Sequence, residues 1–348
     1  MEGATPTSAP SSTRIAVVTG GSKGIGLEAC KQLAGGGAIT VVLTARNETR
    51  GTAAVEQIKR LGHADVIFHQ LDITDASSIA RLADFLKTRF GKLDILVNNA
   101  ATDGIEHVID PVYGLTPGDE TFNGMDAGQR INWMWTSCRQ TYETAKQGLQ
   151  TNYYGTKRVT EALLPLLRSS SDGRIVNVSS NFGLLSVSIM RRSPRTTNKF
   201  LQQQQKRGHD SMPTFFLPFR PQFFRNEELK QELNDVDSLT EERLDELLAM
   251  FLKDFEAGGA EARGWPAEFS AYKVAKAAMN AYSRILAKRH PELRVNCAHP
   301  GYVKTDITRN SGILTPEEGA RNITSVALLP EGGPTGKYFS EGEEASFV

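Results

Sequence analysis

The sequence predicts an α/β fold built on a doubly wound parallel sheet. From residue 15 to about residue 180, short β-branched runs alternate with amphipathic stretches, as happens when each strand is followed by a crossover helix. Most of these runs are apolar throughout, which is the pattern of strands that helices cover on both faces. A chain of 348 residues, 39% of them hydrophobic, can bury a large core, so we expect one domain over residues 14–348 after a loose polar tail, residues 1–13.

Six runs carry the strand pattern, at residues 15–19, 40–44, 66–71, 95–98, 175–179 and 294–298. The stretch 101–137 interrupts their rhythm, and its Pro, Gly and Asp content predicts a long loop. The aromatic side chains of this stretch either line a pocket or simply pack beneath the loop. Both interpretations stay open for Tyr113, Phe122, Trp133 and Trp135.

A second interruption, residues 181–269, predicts a helical insert. Its latter half contains a capping box, Ser238 to Glu241, which is typical of a helix start. Apolar residues follow at spacings of three and four and form one stripe that must lie against the main body; they are Leu244, Leu247, Leu248, Phe251, Leu252 and Phe255.

The first half of the insert, residues 186–223, differs in character. Asp210 is its only acid among seven basic residues, and it contains the glutamine tract 202–205. We expect poor order here. Two alternatives stay open: a basic arm for an acidic partner, and a segment retained through imperfect transcript processing.

Charge and cysteine content narrow the class of partner. Forty basic residues balance forty acidic ones, so no overall field attracts nucleic acid or an anionic membrane. The three cysteines, Cys30, Cys138 and Cys297, lack metal-ligand spacing and favour a reducing compartment. No apolar run is long enough to span a bilayer. We therefore expect a cytosolic protein without a metal, acting on small neutral molecules.

A glycine-rich turn follows the first strand, and a helix-compatible stretch follows the turn. This order places backbone N–H groups and the positive end of a helix against a pyrophosphate. An ordinary turn also requires glycine, but the position directly after the first strand favours a dinucleotide site. The candidate residues are Gly20, Ser22, Lys23, Gly24, Ile25 and Gly26.

The end of the second strand indicates which dinucleotide the chain binds. An acid there would bind the ribose 2′-hydroxyl of NAD, whereas a basic residue suits a 2′-phosphate. This sequence has Arg46, with Arg50 four residues further on and Lys23 in the glycine turn. Taken singly, each of these residues would usually be an ordinary charged residue on the solvent-exposed surface. Together they predict NADPH or NADP+ as the cofactor.

Tyr272 and Lys276 are four residues apart in a stretch of helix formers, so both side chains project from one helix face. A phenol has a pKa of about 10, and a neighbouring ammonium together with an oxidised nicotinamide would lower it toward a useful general acid. The spacing alone is common on helix surfaces.

Two more polar positions complete the candidate catalytic set. Ser180 follows the fifth strand, at the carboxyl edge where ligands of open parallel sheets bind, and can donate a hydrogen bond to a substrate oxygen. Asn152 lies in a helix-compatible stretch, where a polar side chain needs partners.

Together these residues resemble the short-chain dehydrogenase/reductase family and imply its Rossmann-type fold. The motifs occur in the family's order over nearly the whole chain except residues 186–223. The insert before the tyrosine, Gly264-Trp265-Pro266 and the second-strand end are similar to the monomeric carbonyl reductases, among them the plant salutaridine reductase and neomenthol dehydrogenase group. The matching motifs are the glycine turn, Asp72, Asn98-Asn99-Ala100, Asn152, Ser180, Tyr272, Lys276 and Pro300-Gly301.

The resemblance implies a role for each matching position. Tyr272 would be the acid, Lys276 would bind the nicotinamide ribose, Ser180 would orient the carbonyl, and Asn152 would hold a water in a proton relay. Asp72 with Ile73 would contact the adenine, Asn98 the adenosine ribose, and Pro300, Gly301, Val303 and Thr305 would flank the nicotinamide carboxamide. Ala101 departs from the family, which usually has glycine there.

The implied activity is NADPH-dependent reduction of a ketone or aldehyde, with an apolar cyclic ketone such as a terpenoid or alkaloid as substrate. We expect a monomer, because the helix around residues 244–255 would cover the surface through which family members usually associate. The alternative is an NADP(H)-binding protein with a sensing or scaffold role and no turnover. A sugar-nucleotide epimerase fits less well, since its glycine turn is spaced differently.

Overall fold

The computed structural model describes residues 13–108, 119–185 and 223–348. Its strands form one sheet of eight and one of two. They are β1 (Arg14–Val18), β2 (Ile39–Ala45), β3 (Val66–Gln70), β4 (Ile95–Asn98), β5 (Glu106–His107), β6 (Cys138–Arg139), β7 (Arg174–Val178), β8 (Arg294–His299), β9 (Tyr338–Ser340) and β10 (Glu343–Ala345).

The helices flank the large sheet and alternate with its strands. They are α1 (Gly24–Gly35), α2 (Glu48–Arg60), α3 (Ala76–Phe90), α4 (Ala127–Thr136), α5 (Tyr142–Leu149), α6 (Thr156–Arg168), α7 (Glu227–Asn234), α8 (Glu241–Glu256), α9 (Ser270–Arg289) and α10 (Pro316–Ala327). A π-helical turn, Gln150–Gly155, joins α5 to α6. None of the helices in the described ranges is long and apolar enough to cross a membrane.

The eight-stranded sheet has the order β10-β9-β8-β7-β4-β1-β2-β3. Its pairs are parallel except β9 with β10. Because β1 pairs with both β2 and β4, the winding reverses between β1 and β4, and a ligand cleft opens there at the carboxyl edge of the sheet. The predicted α/β, doubly wound, Rossmann-type fold is therefore confirmed.

Apolar clusters fill both faces of the sheet. One includes Leu33 of α1 and Ile58 of α2. The other joins the sheet to α9 and to the insert, where Leu244, Leu248 and Phe251 of α8 are buried. The stripe that the sequence predicts thus packs against the main body, and α8 lies over the helix that carries Tyr272.

The stretch 101–137 is more regular than predicted. It contains β5, a 3₁₀ turn at Asp119–Phe122 and α4, so the prediction of a long loop is wrong for these parts. The sequence signal that we missed is a capping box at the start of α4. The side chain of Asp126 accepts a hydrogen bond from the backbone N–H of Gln129, and the side chain of Gln129 accepts one from the backbone N–H of Asp126.

Some predictions fall outside the described residues. These are the loose tail, apart from Thr13, the position of Tyr113, and the poor order of 186–223, apart from Phe223, which is buried. The one-domain boundary stays a prediction. Ala101, where the family usually has glycine, does not adopt a positive φ, so this departure carries no left-handed backbone strain.

Candidate active site

The glycine turn between β1 and α1 is shaped for close approach of a ligand backbone. Gly20 and Gly24 have φ of +67° and +55°, which side chains rarely tolerate. A Cβ on Gly26 would lie 2.4 Å from the Gly20 carbonyl oxygen. The turn opens α1, whose first N–H groups and positive end suit a pyrophosphate.

A second chain segment, just after β4, anchors this turn. The side-chain nitrogen Nδ2 of Asn99 donates to the carbonyl oxygens of Thr19 (2.9 Å) and Gly20 (3.2 Å). The backbone N–H groups of Asn99 and Ala100 donate to Thr19 Oγ1. Asn99 belongs to a motif that matches the family, but neither Asn99 nor Thr19 was predicted as a site residue. The adjacent pair of asparagines was the available signal.

The side chain of Asn98, predicted at the adenosine ribose, faces the protein interior instead. Its Nδ2 donates to Thr160 Oγ1 (3.0 Å) and to Asn177 Oδ1 (2.8 Å). Adjacent residues of a strand point to opposite faces, so Asn99 reaches the glycine turn and Asn98 does not. A contact of Asn98 with the cofactor would have to come from its backbone.

The predicted phosphate-binding cations lie at the carboxyl end of β2 and in the glycine turn. Arg46 and Arg50 are exposed, and neither guanidinium forms an ion pair within the described ranges. Lys23 forms an ion pair with Asp306. Two guanidinium groups thus remain available for a 2′-phosphate, while Lys23 would have to share its charge with Asp306.

The predicted adenine end of the site follows β3. Asp72 Oδ1 accepts hydrogen bonds from the N–H and hydroxyl of Thr74 (2.9 and 2.7 Å), which fixes the carboxylate. Ile73 is buried against Gly155, where a Cβ would lie 2.9 Å from the Ile73 side chain. The structure therefore brings both predicted residues to the same sheet edge as the glycine turn.

The predicted nicotinamide end follows β8. Asn322 Nδ2 donates to the Pro300 carbonyl oxygen (2.9 Å), and Gly301 has φ of +94°. Val303 is buried, and Thr305 lies 3.5 Å from the point where a Gly24 Cβ would stand. This segment therefore closes the cleft opposite the glycine turn.

Tyr272 lies in the first turn of α9, hydrogen-bonded to the side chain of Ser180. Burial raises the pKa of Tyr272 to about 12; the Ser180 hydrogen bond opposes this shift, and the charge of Asp103 adds to it. The sequence led us to expect a pKa lowered by Lys276 and the oxidised cofactor. For the chain by itself the shift has the opposite sign, because the loss of hydration on burial is its largest cause, and the phenol is protonated at neutral pH.

Lys276 is buried one helical turn beyond Tyr272. Its Nζ donates to the carbonyl oxygen of Val178 at 2.6 Å and lies 5.7 Å from the centre of the Tyr272 ring. Burial lowers the pKa of Lys276 to about 8. Burial, aided by the charge of Lys276, also lowers the pKa of nearby His299 to about 4, so that imidazole is neutral at pH 7.

Hydrogen bonds of Ser180 and of its neighbour Asn181 fix the turn that follows β7. Its Oγ accepts a hydrogen bond from the N–H of Phe182 (3.1 Å). The next residue, Asn181, accepts one from the hydroxyl of Tyr338 in β9 (2.8 Å). A Cβ on Gly183 would lie 2.7 Å from Lys276 Cβ, so the turn needs glycine to approach α9 this closely.

Asn152 lies in the π-helical turn and has the partners that its position requires. Its Nδ2 donates to the Thr102 carbonyl oxygen and its Oδ1 accepts from the Thr102 N–H, both at 2.8 Å. The widened turn, a feature frequent at functional sites, thereby fixes the segment that leads to Asp103.

Aromatic side chains form the wall beside Tyr272. Phe269 is buried with φ of +48°, a strained conformation for an aromatic residue that costs of order 1–3 kcal/mol. Its ring centre lies 5.0 Å from that of Trp135 and 5.9 Å from that of Phe182. Trp133 and Trp135 both pack against the apolar cluster that Tyr272 also contacts, which is compatible with both interpretations that the sequence left open.

One carboxylate faces this wall. Asp103 Oδ2 lies 2.7 Å from Nε2 of His107, and its charge reaches both Tyr272 and Cys138. Sequence reasoning did not single out Asp103. Within the described ranges, no three His, Cys, Asp or Glu side chains group as a metal site would require.

Comparisons with known proteins identify the family to which this chain belongs. Residues 14–115 match the family model for short chain dehydrogenase. The chain is 40% identical to (+)-neomenthol dehydrogenase from Capsicum annuum over 352 residues, covering 97% of this chain and 98% of that protein. It is 36% identical over 340 residues to carbonyl reductase [NADPH] 1 from Homo sapiens, covering 95% and 97%.

A solved structure extends the likeness to three dimensions. The structure of salutaridine reductase from Papaver somniferum is 41% identical in sequence and superposes with a TM-score of 0.77, covering 94% of this chain and 99% of that one. Identity at this level over nearly the full length of both chains establishes a common fold and a common origin. The chain belongs to the short-chain dehydrogenase family and is an oxidoreductase.

Proposed function

We propose that this chain reduces a ketone or aldehyde to the alcohol with NADPH, and that Tyr272 donates the proton. The observation that carries the proposal is a protonated phenol, hydrogen-bonded to Ser180, at the carboxyl edge of the sheet. The relatives include a neomenthol dehydrogenase, a carbonyl reductase and a salutaridine reductase, which supports the same reaction class.

The residues present fit a bound NADPH, which would supply the hydride. The glycine turn accepts a pyrophosphate where a Cβ would collide. Arg46 and Arg50 would hold the 2′-phosphate with Lys23 beside them, Asp72 and Ile73 would contact the adenine, and Val303 and Thr305 would lie by the carboxamide. The human relative carries NADPH in its name, which supports this cofactor over NADH.

The protein's own contribution to the chemistry is to manage charge on the carbonyl oxygen. As negative charge develops there, Ser180 donates a hydrogen bond and Tyr272 transfers its proton. Lys276, one turn away, favours the phenolate that remains. Asn152 would hold a water through its backbone, since its side-chain amide is committed to Thr102.

The aromatic side chains beside Tyr272 favour an apolar, cyclic substrate whose flat faces pack on their rings. Trp135, Phe182 and Phe269 flank the phenol, and such rings contribute large apolar contact areas. Val108 and Ile313, on the two segments bordering the cleft, are exposed large hydrophobic residues. Terpenoid and alkaloid ketones have this character.

A ketone panel tests the proposal through the loss of NADPH absorbance. We expect turnover with the wild type, and about 10²- to 10⁴-fold less with Tyr272→Phe, which removes the acid and keeps the ring. Tyr142→Phe, on α5, is the matched control and should keep full activity. Undiminished turnover in Tyr272→Phe contradicts the proposal, and NADPH binding without turnover of any ketone favours a sensing or scaffold role.

We also propose that the chain is a cytosolic monomer without nucleic-acid or membrane partners. Helix α8 packs against α9, the helix that family members commonly pair across a dimer axis, so this face is already covered. The three cysteines are free, which suits a reducing compartment. Sedimentation should give 38.1 kDa, and a fluorescent fusion should distribute through the cytosol.

A further inference from the structure

The helix that carries Tyr272 begins without a cap of its own. The first N–H groups of a helix lack partners within it, and the preceding residue usually supplies a side-chain acceptor from Ser, Thr, Asp or Asn. Before α9 that residue is Phe269, which makes no side-chain cap and has φ of +48°. The first turn of α9 therefore needs an acceptor from elsewhere in the chain.

Gln140, which is distant in sequence and follows β6 directly, supplies that acceptor. Its Oε1 accepts hydrogen bonds from the N–H (2.6 Å) and the hydroxyl (3.0 Å) of Ser270, the first residue of α9. Its Nε2 donates to the carbonyl oxygen of Ala267 (3.0 Å). An N–H can only donate and a carbonyl can only accept, so these partners determine which way the amide points.

The cap acts at the position where the proposed chemistry needs rigidity. Tyr272 is the third residue of α9, within the turn that Gln140 closes, and Ser270 is 1% exposed. If this turn frays, the phenol moves relative to Ser180 at the end of β7. A displacement of the order of 1 Å can cost up to about 10²-fold in rate.

The same contact connects the acid to the aromatic wall. Trp135 and Gln140 lie on either side of β6, and Trp135 packs on Phe269 at 5.0 Å between ring centres. Gln140 thus fixes the backbone on one side of Phe269 and Trp135 fixes the ring. The strained residue between them has little freedom to relax.

We propose that Gln140 is a positioning residue for Tyr272, holding the first turn of the catalytic helix through Ser270. The inference rests on the proposed function, in which Tyr272 is the proton donor. It assigns no contact with substrate or cofactor to Gln140. It also explains why a residue before α5 constrains the start of α9.

Three variants and one control test the inference by steady-state kinetics on the full chain. Gln140→Leu removes the cap and should lower kcat about tenfold or more, with the KM for NADPH unchanged. Gln140→Asn keeps the amide but shortens its reach, and should lower kcat in the same way. Gln140→Glu keeps an acceptor for Ser270 at the positive end of the helix but loses the donor to the Ala267 carbonyl oxygen, so its kcat should fall less than that of Gln140→Asn.

The control removes a comparable cap away from the site. Asn226 accepts hydrogen bonds from the N–H groups of Glu228 (2.9 Å) and Leu229 (3.1 Å) at the start of α7. Asn226→Ala should lower the melting temperature about as much as Gln140→Leu and leave kcat unchanged. A general loss of stability would instead reduce kcat in both variants.

The possible outcomes separate the two proposals. Should Gln140→Asn and Gln140→Leu retain wild-type kcat, or should Gln140→Glu be as impaired as they are, the positioning role is wrong. If Gln140→Leu does not fold, the kcat values of Gln140→Asn and Gln140→Glu still test the positioning role. If Tyr272→Phe keeps full turnover, the proposed function itself fails, whereas loss of turnover in Tyr272→Phe with active Gln140 variants overturns this inference alone.

Discussion

The ammonium of Lys276 donates a hydrogen bond of 2.6 Å to the carbonyl oxygen of Val178, the last residue of β7. The lysine is 4% exposed, and one hydrogen bond replaces only part of the hydration that an ammonium loses on burial. Lys276 is therefore held in place at a cost to the folded state. This trade of stability for function is common at active sites.

Replacing Lys276 by methionine should reveal that cost as a pH dependence. The pKa of Lys276 falls from 10.5 to about 8 on folding, so the unfolded chain binds more protons between these values. The cost of burying the charge is fully present below pH 8 and disappears as the pH rises toward 10.5. The stability of Lys276→Met relative to wild type should thus fall by up to about 3 kcal/mol over this range, at about 1.4 kcal/mol per pKa unit.

Urea unfolding at a series of pH values measures this difference. Lys288→Met is the control, because the Lys288 side chain is 59% exposed and pairs with Asp237 on the surface. Its stability relative to wild type should change little between pH 8 and 10.5. A difference for Lys276→Met that stays constant with pH would show that the ammonium is hydrated in the folded chain.

Asp103→Asn should shift the pH profile of catalysis toward acid. After burial, the charge of Asp103 is the other influence that raises the pKa of Tyr272. Without that charge the phenol loses its proton at lower pH, so ketone reduction should begin its alkaline decline earlier and alcohol oxidation should begin its rise earlier. The measurement is kcat/KM against pH in both directions.

Glu106→Gln is the matched control for Asp103→Asn. Glu106 lies three residues away, and its carboxylate is occupied by Arg139. The pH profile of Glu106→Gln should coincide with that of wild type. A profile of Asp103→Asn that also coincides with wild type would mean that its carboxylate does not act on the phenol.

The parts of the fold and site that depend on local spacing were readable from the sequence. All six predicted strands are present, and the glycine turn, Tyr272 and Lys276 lie where their neighbours in sequence indicate. β9 and β10 were missed because each has only three residues, too few for a periodic pattern. Local patterns therefore identified the sheet and its winding, and the candidate site built on them stays a prediction.

The features that sequence reasoning missed depend on where each side chain points in the folded chain and on how deeply it is buried. Asn98 and Asn99 are adjacent, yet only the packing of β4 decides that Asn99 faces the glycine turn. The hydrogen bonds of Gln140 reach Ser270 across 130 residues. The pKa of Tyr272 rises rather than falls because of desolvation, which no spacing of charges in the sequence can indicate.

Arg46→Ala should change which dinucleotide the chain prefers. Arg46 is exposed at the carboxyl end of β2, and a charge-assisted hydrogen bond to a phosphate contributes about 1.5–3 kcal/mol. The KM for NADPH should rise about 10- to 100-fold, while the KM for NADH should stay near its wild-type value. Arg60→Ala, at the far end of α2, is the control. Equal effects on both dinucleotides would place Arg46 away from the 2′-phosphate.

The insert should owe much of its stability to one buried carboxylate. Asp254 of α8 is 4% exposed; its Oδ2 accepts from Nε1 of Trp265 (2.9 Å) and its Oδ1 from Arg263 (2.6 Å). Trp265→Phe keeps an aromatic ring but removes a donor from a buried charge, which should lower the free energy of unfolding by about 2–3 kcal/mol. Arg263→Ala should cost less than about 1 kcal/mol, because that guanidinium is 64% exposed.

A double-mutant cycle distinguishes the lost hydrogen bond from lost packing. If the unpaired carboxylate carries the cost of Trp265→Phe, then neutralising it with Asp254→Leu should make the same tryptophan change cost about 1–2 kcal/mol less. Chemical unfolding of the four proteins measures this coupling. If the cost of Trp265→Phe is the same with and without the carboxylate, the loss comes from the packing of the indole against Phe251, whose ring centre lies 5.4 Å away, and the hydrogen bond contributes little to holding α8 over α9.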